Sequence, residues 1–400
     1  MVRELLPGYP TLWVNTIGMR MPGLSWGDLR KIGVKLRAWM GKGAKPQAAA
    51  SLGVGKNPGL RVISPRMYPG FRTDWQRRLN ARWIAHAVNA NLAAVNVNRA
   101  AMDAHRMAGP QSKIENPKSK IVVLTTLPIT ADLIGRLDVD RWVYYGVDDF
   151  SVWPGVDGSV MQEMERAQVA KVDALVAVSE TLRERYRSMG REATLLTHGI
   201  DLGHWSGGKG TLSRKRREVL TWREGMDRPI ILFWGLVDGR LDVSWCRAVV
   251  EAGLGTLVLV GPVQAPPPEL ARLAADSGGR LRLVGSVDYE DLPEVAAWAD
   301  VLVMPYADMP VTRAMQPLKF KEYLAAGWPG GLKPVVARAL PAVSEWADAA
   351  DTVGTATEFV AALRRRLAEG LPMQQREARR RLAEETWAGK ARELEKIITG

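Results

Sequence analysis

Residues 317–341 read PLKFKEYLAAGWPGGLKPVVARALP, and this stretch joins a helix directly to a strand. The apolar residues of Pro317–Ala326 have helical spacing, and the segment stops at Gly327, a residue that often ends helices in the left-handed conformation. A strand is predicted almost at once, at Pro334–Ala337. Such a short connection between a helix and a buried strand is typical of a parallel sheet covered by helices.

The insertion WPGGL, Trp328–Leu332, is required by neither of these elements. In a parallel sheet, the loop from a helix into the next strand lies on the face opposite the ligand crevice. We therefore predict that WPGGL is an inert surface turn. A partner contact through Trp328 is the alternative.

Two series of strand-like runs alternate with helix-like runs, which predicts an α/β fold of two doubly wound, Rossmann-like domains facing a cleft. The first series is Leu12–Asn15, Ile121–Thr125, Trp142–Gly146, Ala174–Val178 and Ala193–Thr197. The second is Ile230–Trp234, Thr256–Val260, Leu281–Val284, Val301–Met304 and Val335–Ala337. The predicted domains are residues 1–205, residues 225–372 and a C-terminal helix, 373–400, that crosses back to the first domain, with an interdomain linker at Gly203–Arg228.

The start of the chain departs from this pattern, because the first strand follows what reads as the end of a helix, RELLPGYP. Either the first strand and helix of the sheet precede this sequence, or the sheet lacks them. The 400 residues are 46% apolar and include a single cysteine, Cys246, which fits a soluble protein of a reducing cytoplasm. The apolar runs are too short to cross a bilayer, and the four scattered His residues give no metal-ligand spacing.

The formal net charge of +12 lies in the first third of the chain, since residues 1–120 contain 20 Lys+Arg and 5 Asp+Glu. Within it, residues 26–45 place apolar side chains at helical spacing, basic ones opposite, and Trp26 and Trp39 at the sides. The pattern suits a helix on an anionic membrane surface, although a helix packed on its own sheet would show the same stripe. No helix-turn-helix, zinc or RNP pattern accompanies the charge, which argues against nucleic acid.

Three loops of the second series are predicted to meet at one edge of the sheet, because ligands of open parallel sheets bind at the carboxyl ends of strands. These loops begin at Gly235, Gly285 and Pro305. Pro317 suits the first position of a helix whose N-terminus attracts phosphate, and Arg240 and Lys319 would add positive charge. Lys319 and Glu322 share a helix face, so a simple surface ion pair remains an alternative to ligand binding.

The segment from Thr312 to Ala337 resembles the nucleotide-sugar-binding signature of the retaining GT-B glycosyltransferases called group 1 or family 4. One branch has a Pro-x-Lys-x-x-Glu-Tyr-Leu-Ala-x-Gly core, found here at 317–327, and a D-x-R-x-D loop, found at 238–242. LVGSVDYEDLP, ADVLVMPY, VDDF and HGID also match, so the resemblance covers nearly the whole chain. It implies a GT-B fold.

The resemblance implies that Glu322 holds the ribose, that Arg240 and Lys319 with the backbone of Ala314–Leu318 hold the diphosphate, and that the base lies against Gly285–Val287. No metal or cofactor is then required. The implied donor-binding residues are Gly235, Arg240, Gly285, Val287, Thr312, Arg313, Gln316, Pro317, Leu318, Lys319 and Glu322.

Two positions depart from the family pattern. The first Glu of the wider family's Glu-x7-Glu falls at Ala314, so Thr312 and Arg313 are candidates to contact the donor sugar instead. A His common in the first domain is replaced by Asp148 and Asp149. Either one of these acids contacts the sugar or the acceptor hydroxyl, or the two cap the next helix or face the hinge. The predicted catalytic residues are Asp148, Asp149, Arg240 and Lys319.

These observations predict a cytoplasmic glycosyltransferase, with a peripheral position on the inner face of the cell membrane as an alternative. It would move a sugar, with retention, from a nucleotide-diphospho-sugar to a glycan or lipid-linked acceptor in cell-envelope polysaccharide or glycoconjugate synthesis. Three rival hypotheses remain: a nucleotide-sugar epimerase on the same scaffold, a non-catalytic nucleotide-sugar binder, and a basic nucleic-acid-binding module.

Overall fold

The computed structural model of the chain divides into two compact units. It describes residues 1–16, 59–107, 121–153, 155–206 and 225–400, with side chains to residue 92 in the second range. Unit 1 comprises Met1–Val178, Leu182–Leu196 and Ala391–Gly400, and unit 2 comprises Ser179–Thr181 and Thr197–Lys390. The predicted amphipathic helix at 26–45 lies outside the described residues.

Unit 2 contains a six-stranded sheet in which every neighbouring pair of strands is parallel. Its strands are β7 (Ile230–Trp234), β8 (Thr256–Val260), β9 (Leu281–Val284), β10 (Val301–Met304), β11 (Val335–Arg338) and β12 (Asp351–Val353), and their order across the sheet is β12-β11-β10-β7-β8-β9. Every residue of β7, β8 and β10 is buried, as apolar strands covered on both faces must be.

The helices that follow these strands begin at residues suited to helix N-termini. Asp242 accepts a hydrogen bond from the Ser244 N–H, and Thr355 and Glu358 form a reciprocal capping box. With the preceding short helix α5, the helices of unit 2 are α5 (Leu202–Trp205), α6 (Val243–Glu251), α7 (Pro268–Asp276), α8 (Leu292–Trp298), α9 (Pro310–Ala314), α10 (Leu318–Ala325), α11 (Pro341–Ser344), α12 (Ala356–Glu369) and α13 (Met373–Ala378).

Unit 1 contains a parallel four-stranded sheet, β3-β4-β5-β6, and a separate parallel pair, β1-β2. The strands are β1 (Thr11–Val14), β2 (Leu60–Ile63), β3 (Val122–Thr125), β4 (Arg141–Gly146), β5 (Ala174–Ala177) and β6 (Thr194–Leu195). The helices are α1 (Val2–Leu5), α2 (Asp74–Met107), α3 (Gly158–Lys171), α4 (Glu180–Ser188), which crosses the unit boundary, and α14 (Trp387–Thr399), which also crosses it.

Two predicted segments differ from the structure. The linker was expected to begin at Gly203, but Leu202–Trp205 is helical and the Trp205 side chain is fully buried. The helix expected from about residue 374 onward is broken by a 3₁₀ turn at Arg379–Ala383. Arg379 explains the break, because its buried guanidinium donates to the carbonyl oxygens of Ala349 and Lys333, at 2.9 and 2.8 Å.

The WPGGL segment is a surface turn. Gly327 has φ 83°, and a Cβ there would lie 2.2 Å from the carbonyl oxygen of Gly331, so the position requires glycine. Residues 329–331 are exposed, whereas Trp328 packs against the core of unit 2. The turn follows the C-terminus of α10 and precedes β11, at the end of the sheet opposite the carboxyl ends of the strands.

Candidate functional site

The strand order of unit 2 reverses between β7 and β10, which lie side by side in the centre of the sheet although β10 comes three strands later in the chain. Ligands of such sheets bind in the crevice at the carboxyl ends of the strands where the order reverses. The loops that begin at Gly235 and Pro305 flank this point. Gly235 has φ 142°, and a Cβ there would lie 2.1 Å from the Lys319 Nζ atom, so glycine lets the lysine approach the strand end.

Arg240 and Lys319 lie against the same aromatic ring, that of the buried Tyr306. The Arg240 Cζ atom is 5.6 Å from the ring centroid and the Lys319 Nζ atom is 4.9 Å from it, and the lysine also hydrogen-bonds the Tyr306 hydroxyl. Among the described residues Lys319 forms no ion pair. The two predicted cations therefore share one location at the strand-order reversal.

The two acids of the D-x-R-x-D loop stabilise this arrangement. Asp238 accepts hydrogen bonds from the Arg240 backbone N–H and from its Nε atom, each at 3.0 Å, which fixes the direction of the guanidinium. Asp242 accepts a hydrogen bond from Ser244 N–H and pairs with Arg338. Both carboxylates therefore hold the loop in place, and Asp238 also pairs with the Arg240 guanidinium.

The helix α10 presents its N-terminus at the same edge. Pro317 is the N-cap residue rather than the first helical residue that we predicted, and Leu318 begins the helix. Lys319 is in the first turn, where the unpaired N–H groups and the helix dipole already favour an anion. Gln316, just before the helix, is buried, and its Oε1 atom accepts a hydrogen bond from the His198 N–H at 2.8 Å.

Glu322 lies one turn further into α10, with 7% of its surface exposed. Its Oε2 atom is 3.4 Å from the indole Nε1 of Trp234, and the Tyr289 hydroxyl also interacts with its carboxyl group. Burial raises the pKa of Glu322, while Trp234, Lys319 and Tyr289 favour its ionised form. The surface ion pair with Lys319 that we considered is absent among the described contacts.

Thr312 and Arg313 each have hydrogen-bond or ion-pair partners within their own segment of the chain. Thr312 is fully buried, and its hydroxyl donates to the Ala307 carbonyl oxygen at 2.6 Å and accepts from the Met309 N–H at 2.9 Å. Arg313 is exposed and pairs with Asp308. The Thr312 hydroxyl therefore stabilises the loop before α9, and a contact of Thr312 or Arg313 with the donor sugar stays a prediction.

The loop after β9 offers an open surface. Gly285 is exposed, and a Cβ added to it would meet no atom within 4 Å. Val287 is half-buried and packs against the core. These are the residues against which the resemblance places the base.

Asp148 and Asp149 follow β4 in unit 1. Asp149 is buried and caps the 3₁₀ turn Phe150–Val152 by accepting from the Ser151 N–H, and it pairs with Arg185 at 3.0 Å. The capping alternative is therefore the one that the structure shows for Asp149. Asp148 is half-buried, and a catalytic role for it stays a prediction.

The part of the chain that the structure describes contains no cluster of three or more His, Cys, Asp or Glu side chains able to hold a metal ion. The positive charge at the site comes from Arg240, Lys319 and the N-terminus of α10.

A Rossmann-type domain with cations at its strand-order reversal defines a class of nucleotide-binding α/β proteins. Residues 229–369 match the sequence model of the family described as glycosyl transferases group 1, in agreement with the resemblance seen in the sequence. The chain is also similar to TuaH of Bacillus subtilis (strain 168), a glycosyltransferase named for a proposed role in teichuronic acid biosynthesis. The two are 27% identical over 195 residues, which is 46% of this chain and 45% of that protein.

Solved structures show that the fold is GT-B, as predicted. Anabaena HepE in complex with UDP has a TM-score of 0.61 and 13% identity, covering 97% of this chain and 99% of its own. Sucrose-phosphate synthase of Thermosynechococcus elongatus has a TM-score of 0.60 and 15% identity, covering 96% and 98%. WaaG, a glycosyltransferase involved in lipopolysaccharide biosynthesis, has a TM-score of 0.56 and 16% identity, covering 98% and 100%.

Sequence reasoning missed the aromatic members of this site, which are Trp234, Tyr289 and Tyr306. Trp234 is the last residue of β7, and Tyr306 follows the end of β10. Their position at the ends of the two strands where the order reverses is the one feature of the sequence that indicates a role in the site. In a single sequence such residues look like ordinary core side chains.

Proposed function

We propose that the protein is a glycosyltransferase that moves a sugar from a nucleotide-diphospho-sugar to a glycan or lipid-linked acceptor. The observation that carries the proposal is the convergence of Arg240 and Lys319 on Tyr306 at the N-terminus of α10, inside a glycosyl transferases group 1 domain. The descriptions of the family and of TuaH favour transfer over the epimerase alternative.

In the proposed reaction, the bond between the anomeric carbon and the donor diphosphate breaks while the oxygen of an acceptor hydroxyl bonds to that carbon, and the hydroxyl proton passes to the leaving diphosphate. Negative charge then grows on the leaving diphosphate. Arg240, Lys319 and the free N–H groups of α10 would stabilise it, because donors fixed in advance cost no reorganisation during the step. We propose attack on the face that the diphosphate leaves, and therefore retention, because the sequence resembles the retaining family.

The donor would be oriented by groups away from the reacting carbon. Glu322 would accept hydrogen bonds from the vicinal ribose hydroxyls, and the open surface at Gly285–Val287 would support the base. Uracil is the first candidate base, because HepE is described in complex with UDP and with UDP-glucose.

A metal ion is not part of the proposal, since the protein supplies the cations itself. Transfer should then continue unchanged in excess EDTA. Loss of transfer in EDTA and its recovery with a divalent ion would contradict this part of the proposal.

We propose a cell-envelope acceptor and contact with an anionic membrane surface, supported by the names of TuaH and WaaG. In unit 1, the helix α2 exposes Trp75 and Trp83, at 54% and 40%, beside the exposed Arg78 and Arg82. Indole rings interleaved with arginines suit a headgroup region. Within the described residues no helix is both long and apolar enough to span a bilayer.

A thermal-shift screen of UDP-, GDP- and other nucleotide-sugars tests the donor site, with Glu322→Ala as the control. The proposal expects one base to raise Tm in the wild type and much less in the variant. Turnover of donor without any acceptor would indicate an epimerase, and binding with no turnover under any acceptor would indicate a binder. No response to any nucleotide-sugar, with salt-sensitive binding of nucleic acid, would contradict the proposal outright.

A further inference from the structure

Glu322 is held by two side chains that the reaction itself does not require. The Trp234 indole N–H approaches its Oε2 atom at 3.4 Å, and the Tyr289 hydroxyl interacts with the same carboxyl group. A carboxylate offers about four lone-pair sites, so two donors leave room for two further hydrogen bonds. That is the number that a pair of vicinal hydroxyls would supply.

Both donors are buttressed by the short helix α5. The His204 ring stacks on Tyr289 with centroids 4.1 Å apart and planes 7° apart, and Trp205 meets Tyr289 edge-on. The Trp205 ring also stacks on Trp234, with centroids 5.4 Å apart. One helical turn therefore fixes the rings that carry both hydrogen-bond donors.

Asp201 holds this turn in place, since its Oδ1 atom accepts a hydrogen bond from the His204 N–H at 3.1 Å. Trp205 is fully buried and belongs to the core of unit 2, so the turn is anchored as well as capped. The whole arrangement lies within unit 2, next to the loop that carries Gly285 and Val287.

A purely structural explanation would treat Glu322 as a buried acid whose hydrogen bonds happen to be satisfied. Two observations favour a functional explanation. Tyr289 is 44% exposed, so it forms part of the surface that a ligand would meet rather than a sealed cover. Burial also raises the pKa of Glu322 in spite of its two donors, so the carboxylate is retained at a cost that a neutral glutamine would avoid.

We infer that Tyr289 and Trp234, supported by His204 and Trp205, are positioning residues that aim the Glu322 carboxylate at the ribose hydroxyls of the donor nucleotide. The inference rests on the proposed function and adds to it the origin of ribose selectivity. The Tyr289 hydroxyl fixes the carboxylate plane, and the distinction between a ribose and a 2′-deoxyribose nucleotide depends on that plane.

The probes are UDP and 2′-deoxy-UDP. If the nucleotide screen selects guanine, GDP and 2′-deoxy-GDP replace them. The affinities are measured by calorimetry. The wild type is expected to bind the ribonucleotide about 10-fold or more tightly than the deoxynucleotide, because the lost hydrogen bond involves a charged group. Tyr289→Phe keeps the ring stacked on His204 but removes the hydroxyl, and should reduce this preference several-fold.

The matched control is Tyr9→Phe in unit 1, whose hydroxyl also donates to a carboxylate, the Glu395 Oε1 atom at 2.7 Å. It should leave the ratio of the two affinities unchanged. Trp234→Phe is a second test, which should reduce the ratio if the indole N–H contributes as inferred.

The outcomes separate the inference from the proposed function. If Glu322→Gln removes the ribose preference and neither Tyr289→Phe nor Trp234→Phe changes it, the positioning role is wrong and the donor site stands. If Glu322→Gln also leaves the preference intact, or if no nucleoside diphosphate binds, the ribose role of Glu322 fails and the positioning role fails with it.

Discussion

Charged side chains follow strand ends in both units, but they have different partners. In unit 1, Asp149 accepts two hydrogen bonds from Ser151 and pairs with Arg185, which also pairs with the buried Glu165 at 2.8 Å. These charges are satisfied by one another. In unit 2, Lys319 forms no ion pair among the described residues and is held by the Tyr306 hydroxyl and by aromatic rings.

A charged residue at a strand end is therefore weak support for a functional site until the partners of that residue are known. Acids that cap a turn and pair with an arginine stabilise the fold. Cations held by an aromatic ring beside a helix N-terminus concentrate positive charge that a bound anion can use. By this criterion Lys319 is the strongest candidate for the proposed donor chemistry, whereas the described contacts of Asp149 are those of a residue that stabilises unit 1.

Removal of the Arg240 or the Lys319 side chain should have the largest effect on the rate of transfer. We expect Lys319→Ala and Arg240→Ala each to lower kcat by about 10²-fold or more, since each removes a fixed positive charge from the leaving diphosphate. Steady-state transfer kinetics provide the measurement. The control is Arg228→Ala, an exposed arginine paired with Asp300 at the amino end of β7, which should leave kcat unchanged.

Removal of Arg185 should affect folding rather than chemistry. Arg185→Met leaves the buried Glu165 and Asp149 without their cation, and a loss of about 3 kcal/mol in the free energy of unfolding is expected. Urea unfolding measures it, with the exposed Arg187→Met as control. Lost transfer at unchanged stability would mean that this cluster of unit 1 takes part in the reaction, which would reverse the comparison.

Glu322→Gln should weaken donor binding about 10-fold and yet raise Tm at neutral pH. The reason is that the pKa of Glu322 is raised by burial, so the ionised carboxylate destabilises the folded state above its unfolded pKa. The Tm advantage of the variant should therefore vanish as pH falls and the wild-type carboxyl becomes protonated. The donor affinity of the wild type should also fall as the pH is lowered. A Tm loss at neutral pH would show that Glu322 is a structural residue.

Tyr306→Phe should have the smallest effect, because the ring that both cations contact remains. Loss of the hydroxyl partner of Lys319 should weaken transfer by several-fold, corresponding to about 1 kcal/mol. The expected change is in kcat more than in KM. An effect as large as that of Lys319→Ala would show that the hydroxyl, and not the ring, holds the lysine.

Much of unit 2 is predictable from the sequence because its strands are continuous apolar runs, and β7, β8, β9 and β10 have the predicted bounds. Two strands were missed. Asp351–Val353 begins with an acid that pairs with the buried Arg366, and Leu60–Ile63 is a four-residue run whose register depends on a distant partner, β1. Such strands are determined by tertiary contacts rather than by local apolar pattern.

The candidate site divides in a similar way. Arg240, Lys319 and Glu322 stand out because charged residues at strand ends and helix starts suggest chemistry. The same reasoning gave Thr312 a ligand role, although its hydroxyl is used within its own loop. Side-chain hydrogen bonds of this local kind cannot be read from spacing, and neither can the aromatic rings that orient Arg240, Lys319 and Glu322.

The most direct test of the central claim is a crystal structure of the protein with a bound nucleoside diphosphate chosen by the thermal-shift screen. The account predicts that the diphosphate lies against Arg240, Lys319 and the N-terminus of α10, with the ribose hydroxyls on Glu322. Density for the nucleotide at any place that leaves these three side chains without contact would contradict it.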